Sequence, residues 1–287
     1  MPFSFRKENL TWIYAPYRTI SYFSKKSLPL KIIFLVPALA LLLFTCSGKK
    51  ESTSKKEPLA VATAANVQFV VEDLKKEFEQ KTGIPVQAII ASSGKLTAQI
   101  SQGAPYDIFI SADTKYPETL FREGSAFNAP KIYAFGALTL WTLREDLDLS
   151  LGIKTLEQKG INKIALANPE TAPYGEQSIQ AMKNAGLLEK LKPAFVFGES
   201  IAQTNQYILS KACDIGFTAK SVVLAPGIPQ KGAWVEIDPS LYSPIAQAAV
   251  ITLHGQNNHP RESRLFFDFL FSDKAREIFL RYGYTLP

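Results

Sequence analysis

The chain is predicted to be an α/β protein of two lobes with a ligand cleft between them. Three observations carry this. From Pro58 onward, apolar strand-like runs alternate with stretches of helical period. The remaining length, about 230 residues, is enough for two lobes of ordinary size. Four strand-like runs also end in loops of small or hydroxyl residues just ahead of a helix: Thr63-Ala64-Ala65-Asn66, Ala91-Ser92-Ser93-Gly94, Pro173-Tyr174-Gly175 and Gly198-Glu199-Ser200-Ile201.

The elements follow in order. Residues 59–63 form a short apolar strand. Residues 67–81 carry a helical period through Val70, Val71, Leu74 and Phe78, and Gly83 is the natural C-cap. Residues 86–91 are β-rich, 95–102 are helical up to Gly103, 106–111 form a strand containing Asp107, and 114–123 form a helix ended by Gly124. The pattern repeats with a strand at 163–167, a helix at 176–184 closed by Gly186, a short strand at 195–197, a helix at 202–210 and a strand at 214–218. Residues 246–253 read as a strand, and helices fill 261–271 and 273–282. Such alternation predicts largely parallel sheets. In these, ligands sit beyond the carboxyl ends of the strands, where all four loops fall. If the β-rich stretches 132–143 and 245–253 both cross between lobes, lobe 1 comprises 58–135 and 245–287, lobe 2 comprises 136–244, and closure is a hinge motion.

The first 57 residues differ in character. Six Lys/Arg precede a charge-free run from Ile32 to Thr45, which ends at Cys46. A basic region followed by an apolar one is the pattern of a secretory signal. The run is short of the roughly 20 apolar residues of a membrane span. Leu43-Phe44-Thr45-Cys46 is a loose lipobox, and the polar segment 47–57 reads as a flexible tether. The expectation is a lipoprotein signal over 1–46 with a lipid on Cys46, holding the folded part at a membrane. An uncleaved anchor and ordinary cleavage nearby are the alternatives.

The formal charge of +6 is local to this segment: residues 58–287 hold 22 basic and 23 acidic side chains. No basic stripe interleaves with aromatics, so nucleic-acid binding is excluded on electrostatic grounds. With Cys46 acylated, Cys213 has no partner and is expected as a small buried residue. His254 and His259 lie in a stretch expected as a polar loop, with no further ligand at recognisable spacing, so no metal site is predicted there. No G-x-S-x-G elbow is present, and no base stands at a spacing that would activate Ser93.

The four loops point to a binder. First-turn N–H groups lack intrahelical partners and sit at the positive end of the helix dipole. Several such helix starts meeting at one point would hold a small oxyanion. Each residue also has a plainer reading: Asn66, Ser93, Ser200 and Asp113 as helix caps, Tyr174 as packing, Asp107 as a strand-edge acid.

The ordered set of Ala62-Thr63-Ala64-Ala65-Asn66, Ala91-Ser92-Ser93-Gly94-Lys95-Leu96, Gly103-Ala104-Pro105-Tyr106-Asp107 through Asp113, Asn168 through Gly175, Gly198-Glu199-Ser200 and Asp214 through Ala219 resembles the periplasmic molybdate-binding proteins of molybdate ABC transporters. The resemblance runs from about Pro58 to Pro287. It implies a type II periplasmic-binding-protein fold, one tetrahedral oxyanion (molybdate or tungstate) per chain, no catalysis and no cofactor. It further implies an ABC permease as partner, a monomer, and a periplasmic or cell-surface location. By motif, Ala65, Asn66 and Ser93 would supply donors from lobe 1, with Asn66 giving side-chain and backbone donors. Tyr174 and Ile201 would supply them from lobe 2, Ile201 through its backbone N–H. Some family members carry a Tyr where this chain has Ala219; Tyr174 is expected to compensate. A binder of another oxyanion such as sulfate, an enzyme on the same scaffold and a domain that has lost its ligand are the competing readings.

Overall fold

A computed structural model describes residues 57–228 and 231–287. The signal, Cys46 and tether residues 47–56 lie outside the described residues. Among the described residues, no helix is long and apolar enough to cross a membrane.

Strand β1 (Leu59–Ala64) is followed by a single 3-10 turn (Ala65–Val67) and helix α1 (Val70–Thr82). Val70, Val71, Leu74 and Phe78 form the buried face of α1, as their spacing requires, and Gly83 caps it with φ of 65°. The ring of Phe78 meets Phe266 edge-on at 4.9 Å. Each such buried side chain contributes roughly 1.5–3 kcal/mol. Then come β2 (Val86–Ala91), α2 (Ser93–Ser101), β3 (Ile108–Ile110) and α3 (Lys115–Arg122). The expected strand at 132–143 divides into β4 (Lys131–Gly136) and β5 (Leu138–Thr142), which belong to different sheets.

The second half continues with β6 (Ile164–Ala167), α4 (Pro173–Asn184), α5 (Leu188–Leu191), β7 (Phe195–Gly198), α6 (Ile201–Leu209), β8 (Ile215–Ala219), α7 (Lys220–Val223) and β9 (Ala233–Glu236). Strand β10 (Ile245–Ile251) then leads into α8 (Leu253–Asn258), α9 (Pro260–Phe269) and α10 (Asp273–Arg281).

Two five-stranded sheets result, ordered β2-β1-β3-β10-β4 and β7-β6-β8-β5-β9. In the first, β1 runs parallel to β2 and β3, while β10 runs antiparallel to β3 and β4. In the second, β6 runs parallel to β7 and β8, while β5 is antiparallel to β8 and β9. The sheets are therefore mixed rather than largely parallel. In each sheet one strand, β10 or β5, runs against the rest, and the edge strands β4 and β9 pair antiparallel with it. Every parallel strand ends at the same side of its sheet, which aims the following helix starts toward the other sheet.

Three departures from the sequence reading have local causes. Helix α4 begins at Pro173, three residues earlier than expected, because Pro at a first-turn position needs no N–H partner. Tyr174 is thus inside a helix rather than in a loop. Residues 253–258, expected as a polar loop, form α8, whose start is held by Thr252 Oγ1 accepting the Gly255 N–H at 3.0 Å. Strand β9 was not anticipated; it is a four-residue edge strand with no fully buried residue. Cys213 is free and buried.

Candidate functional site

The carboxyl ends of β1, β2, β3, β6 and β7 lead into a single small cavity. It is lined by Ala64, Ala65, Asn66, Ser92, Ser93, Ala112, Ala172, Pro173, Tyr174 and Ile201. All five residues expected at a ligand site, Ala65, Asn66, Ser93, Tyr174 and Ile201, border it together. Its volume is about 10 Å³, close to that of one water-sized sphere and far below the several hundred Å³ of organic-ligand pockets. None of its lining residues is charged.

Four helical starts face this cavity: the 65–67 turn, α2, α4 and α6. None has a side-chain cap. Helices α8 and α10 are capped, by Thr252 and Ser272 accepting first-turn N–H groups, while α1, α5, α7 and α9 are uncapped too, so it is the convergence of the starts that marks the site. Apart from the Gly94 N–H of α2, which is taken by Thr171 O, the cavity-facing starts therefore keep uncapped first-turn donors and the positive ends of their dipoles. Ser92 and Ser200 occupy the N-cap positions in extended backbone, but neither side chain makes the capping bond. The capping role considered for Ser93 does not apply, since it is the first helical residue of α2. Asp113 does cap, accepting the Tyr116 N–H at 3.2 Å.

The hydroxyls are set as donors. Ser93 Oγ accepts the Ala112 N–H at 3.1 Å, leaving its own proton free. Tyr174 Oη accepts from Gln247 Nε2 at 3.1 Å, again leaving its proton free. Tyr174 is 1 % exposed, and burial holds its phenol well above the usual pKa, so it stays protonated. Ser92 Oγ is buried with no partner among the described residues. An unpaired buried hydroxyl costs about 1–3 kcal/mol, so its position at the cavity wall calls for a guest.

Asn66 departs from expectation. Both N–H bonds of its amide are engaged: Nδ2 donates to Gln247 Oε1 at 2.8 Å and to Tyr284 Oη at 3.1 Å. Its Oδ1 has no partner. The side chain is thus held by the frame, and the donors left on this turn are backbone N–H groups. Gln247 organises that frame. It is fully buried on β10 and joins Asn66, Tyr133 (2.8 Å) and Tyr174. Sequence reasoning missed Gln247 and Tyr133, and gave no role to Ser92 of the second loop or to Tyr284. For Gln247 a signal existed: it is the single polar side chain in the run Ile245-Ala246-Gln247-Ala248-Ala249-Val250-Ile251. Ala219 does not border the cavity, whereas Tyr174 does.

Contacts also cross the cavity mouth. The Gly94 N–H donates to Thr171 O at 2.9 Å, Tyr116 Oη donates to Glu170 O at 3.0 Å, and Lys95 pairs with Glu199. Ser221 Oγ donates to Asn66 O at 2.8 Å. The two halves are therefore closed on the cavity. A carboxylate stands nearby without lining it: burial pushes Asp113 up to about 6, against the hydrogen bonds it accepts from Tyr116 and Ser111. Ser93 Oγ has no His or carboxylate partner among the described residues, and the two histidines lie beyond the opposite end of β3.

Comparison with known proteins agrees with this geometry. The family model described as "Bacterial extracellular solute-binding protein" matches residues 59–285. The molybdate-binding protein ModA of Azotobacter vinelandii is 34% identical over 88% of this chain and 97% of its own length. The protein of the same name from Rhodobacter capsulatus is 34% identical over 78% of this chain and 86% of its own. The solved structure of the Azotobacter vinelandii periplasmic molybdate-binding protein superposes with a TM-score of 0.75 at 35% identity, covering 80% of this chain and 99% of that one. Two mixed α/β sheets closed on a small cavity of uncharged donors, together with these matches, make the chain a member of the bacterial extracellular solute-binding protein family, with the two-lobed type II fold.

Proposed function

We propose that the chain is the extracytoplasmic receptor that captures molybdate, and with it tungstate, for an ABC importer. The observation that carries this reading is the meeting of four uncapped helical starts and the free hydroxyl protons of Ser93 and Tyr174 around one small uncharged cavity. A dianion is costly to desolvate, and neutral N–H and O–H donors replace its water shell. In this reading Ser92, Ser93 and Tyr174 donate through hydroxyls, while Ala65, Asn66 and Ile201 donate through backbone N–H groups. A protonated phosphate would need an acceptor; no carboxylate lines the cavity, and the Asn66 amide oxygen is the weaker, neutral acceptor present there. Sulfate carries the same charge as molybdate, so size must separate them; tungstate matches molybdate in size and charge. The relatives are solute-binding proteins, and the chain is likewise a binder rather than an enzyme.

The proposed lobes are 58–135 with 245–287, and 136–244. Support comes from the sheets: one contains β1–β4 and β10, the other β5–β9. A lipid on Cys46, a tether over 47–57 and a monomeric state complete the proposal. Calorimetry and thermal unfolding with molybdate, tungstate and sulfate test it. At 100 times its dissociation constant, molybdate should stabilise the protein by roughly 2.7 kcal/mol, which raises Tm by about 5–10 °C. Sulfate binding as tightly as molybdate would overturn the assignment. Replacing Cys46 by Ser should release the protein from the membrane fraction.

A further inference from the structure

A second cluster lies at the opposite end of β3 from the cavity. Asp107 directly precedes β3, and Ala112 at the cavity wall is five residues further along, about 16 Å at the rise of a strand. The Asp107 side chain is 1 % exposed. Its Oδ2 accepts the Ala60 N–H at 2.7 Å, which fixes the carboxylate. Its Oδ1 lies 2.9 Å from His259 Nδ1 and 3.8 Å from His254 Nε2. One donor atom from each of these three residues falls within 4.8 Å of the others. The sequence concealed the set, because Asp107 stands about 150 residues before the histidines.

We propose that Asp107, His254 and His259 form a binding site for a borderline divalent cation of the zinc type. Two imidazole nitrogens with one carboxylate oxygen suit zinc and its first-row neighbours rather than magnesium or calcium. Donors of a tetrahedral zinc site with bonds of about 2.0–2.1 Å sit about 3.3 Å apart. The observed 2.9 and 3.8 Å bracket that value. Closing the site takes a small swing of His254, whose side chain is about one-third exposed.

The surroundings support it. Helix α8 lies directly on Asp107: its backbone C=O accepts the Thr252 N–H at 3.0 Å, and a Cβ on Gly255 would overlap that carbonyl. His259 stands at the start of α9, ahead of Pro260, where its carbonyl accepts the Ser263 N–H at 2.9 Å. The far ring nitrogen of His259 faces the exposed Glu57 carboxylate at 3.9 Å, a long-range charge contact and not a hydrogen bond. His254 Nδ1 has the Asn258 amide at 3.2 Å. When the cation takes Nε2, the ring proton moves to Nδ1 and the Asn258 amide turns its oxygen toward it. A cavity of about 310 Å³ beside His254, lined also by Thr252, Asn257 and Asn258, leaves room for water at the remaining coordination position. The cation would pin β3, α8 and α9 together.

Zinc titration of the purified full chain by calorimetry, with visible absorption of the cobalt-loaded protein, tests the site. One zinc per chain is expected, with tetrahedral cobalt bands. His254→Ala and His259→Ala should each weaken zinc at least tenfold. Asn258→Asp should tighten zinc by about tenfold, since it supplies the acceptor outright. Affinity should fall with falling pH as protons compete for the rings. Absence of zinc and cobalt binding, or binding of equal strength in both histidine variants, would overturn the proposal and leave a hydrogen-bonded Asp–His cluster.

Discussion

Gln247 fills the acceptor side of the Tyr174 hydroxyl and so leaves its proton for the cavity. The Gln247 Nε2 bond at 3.1 Å settles which way the phenol proton points. A hydrogen bond to a charged group is worth about 1.5–3 kcal/mol, so Tyr174→Phe should weaken molybdate by about 10- to 100-fold in calorimetry. Asp113 makes a different prediction. Its carboxyl titrates near 6 in the folded protein, above the ordinary carboxylate value of 3.8. The folded state therefore holds a proton that the unfolded chain has lost between these values, and stability falls as pH rises from about 4 to about 6. Urea unfolding across that window should show the decline, and Asp113→Asn should flatten it. At this scale the sequence was only partly legible. Ser93 and Tyr174 stand in recognisable loops, but the Asn66–Gln247–Tyr284 network joins positions 181 and 218 residues apart, and no local pattern encodes it.

Elements were more legible than the bonds between them. The face of α1 and the stop at Gly83 follow from spacing and from the tolerance of Gly for positive φ. The division between β4 and β5 does not, because 132–143 is continuously β-rich and the change of sheet happens at Gly136-Ala137. Gly136 has a packing reason: a Cβ there would overlap Tyr174 Oη and Gln247 Nε2. Gly136→Ala should destabilise by about 1–3 kcal/mol, as overpacked sites do, and weaken molybdate more than tenfold because the donor is displaced. Helix α8 escaped notice because it has only six residues and depends on the Thr252 cap and on its seat against Asp107, a contact far off in sequence.

For the whole molecule, the meeting of the halves was legible as a topology and not as a set of contacts. Alternating elements with two β-rich crossovers specify two sheets; the clasp across the mouth depends on their final placement. The Lys95–Glu199 pair is well exposed on both sides. Pairs of that kind contribute at most about 1 kcal/mol to stability. Lys95→Ala should therefore leave Tm nearly unchanged and speed molybdate release by about two- to fivefold in stopped-flow experiments, the effect shrinking at high salt.

The lining without charge sets how cargo would arrive and leave. Residues 58–287 are close to neutral overall, so net charge adds little long-range pull on a dianion. Once inside, the anion has no lysine or arginine that a competing salt could strip away. Handing it on must then be a mechanical event, in which prying the jaws apart removes half of its donors at a stroke.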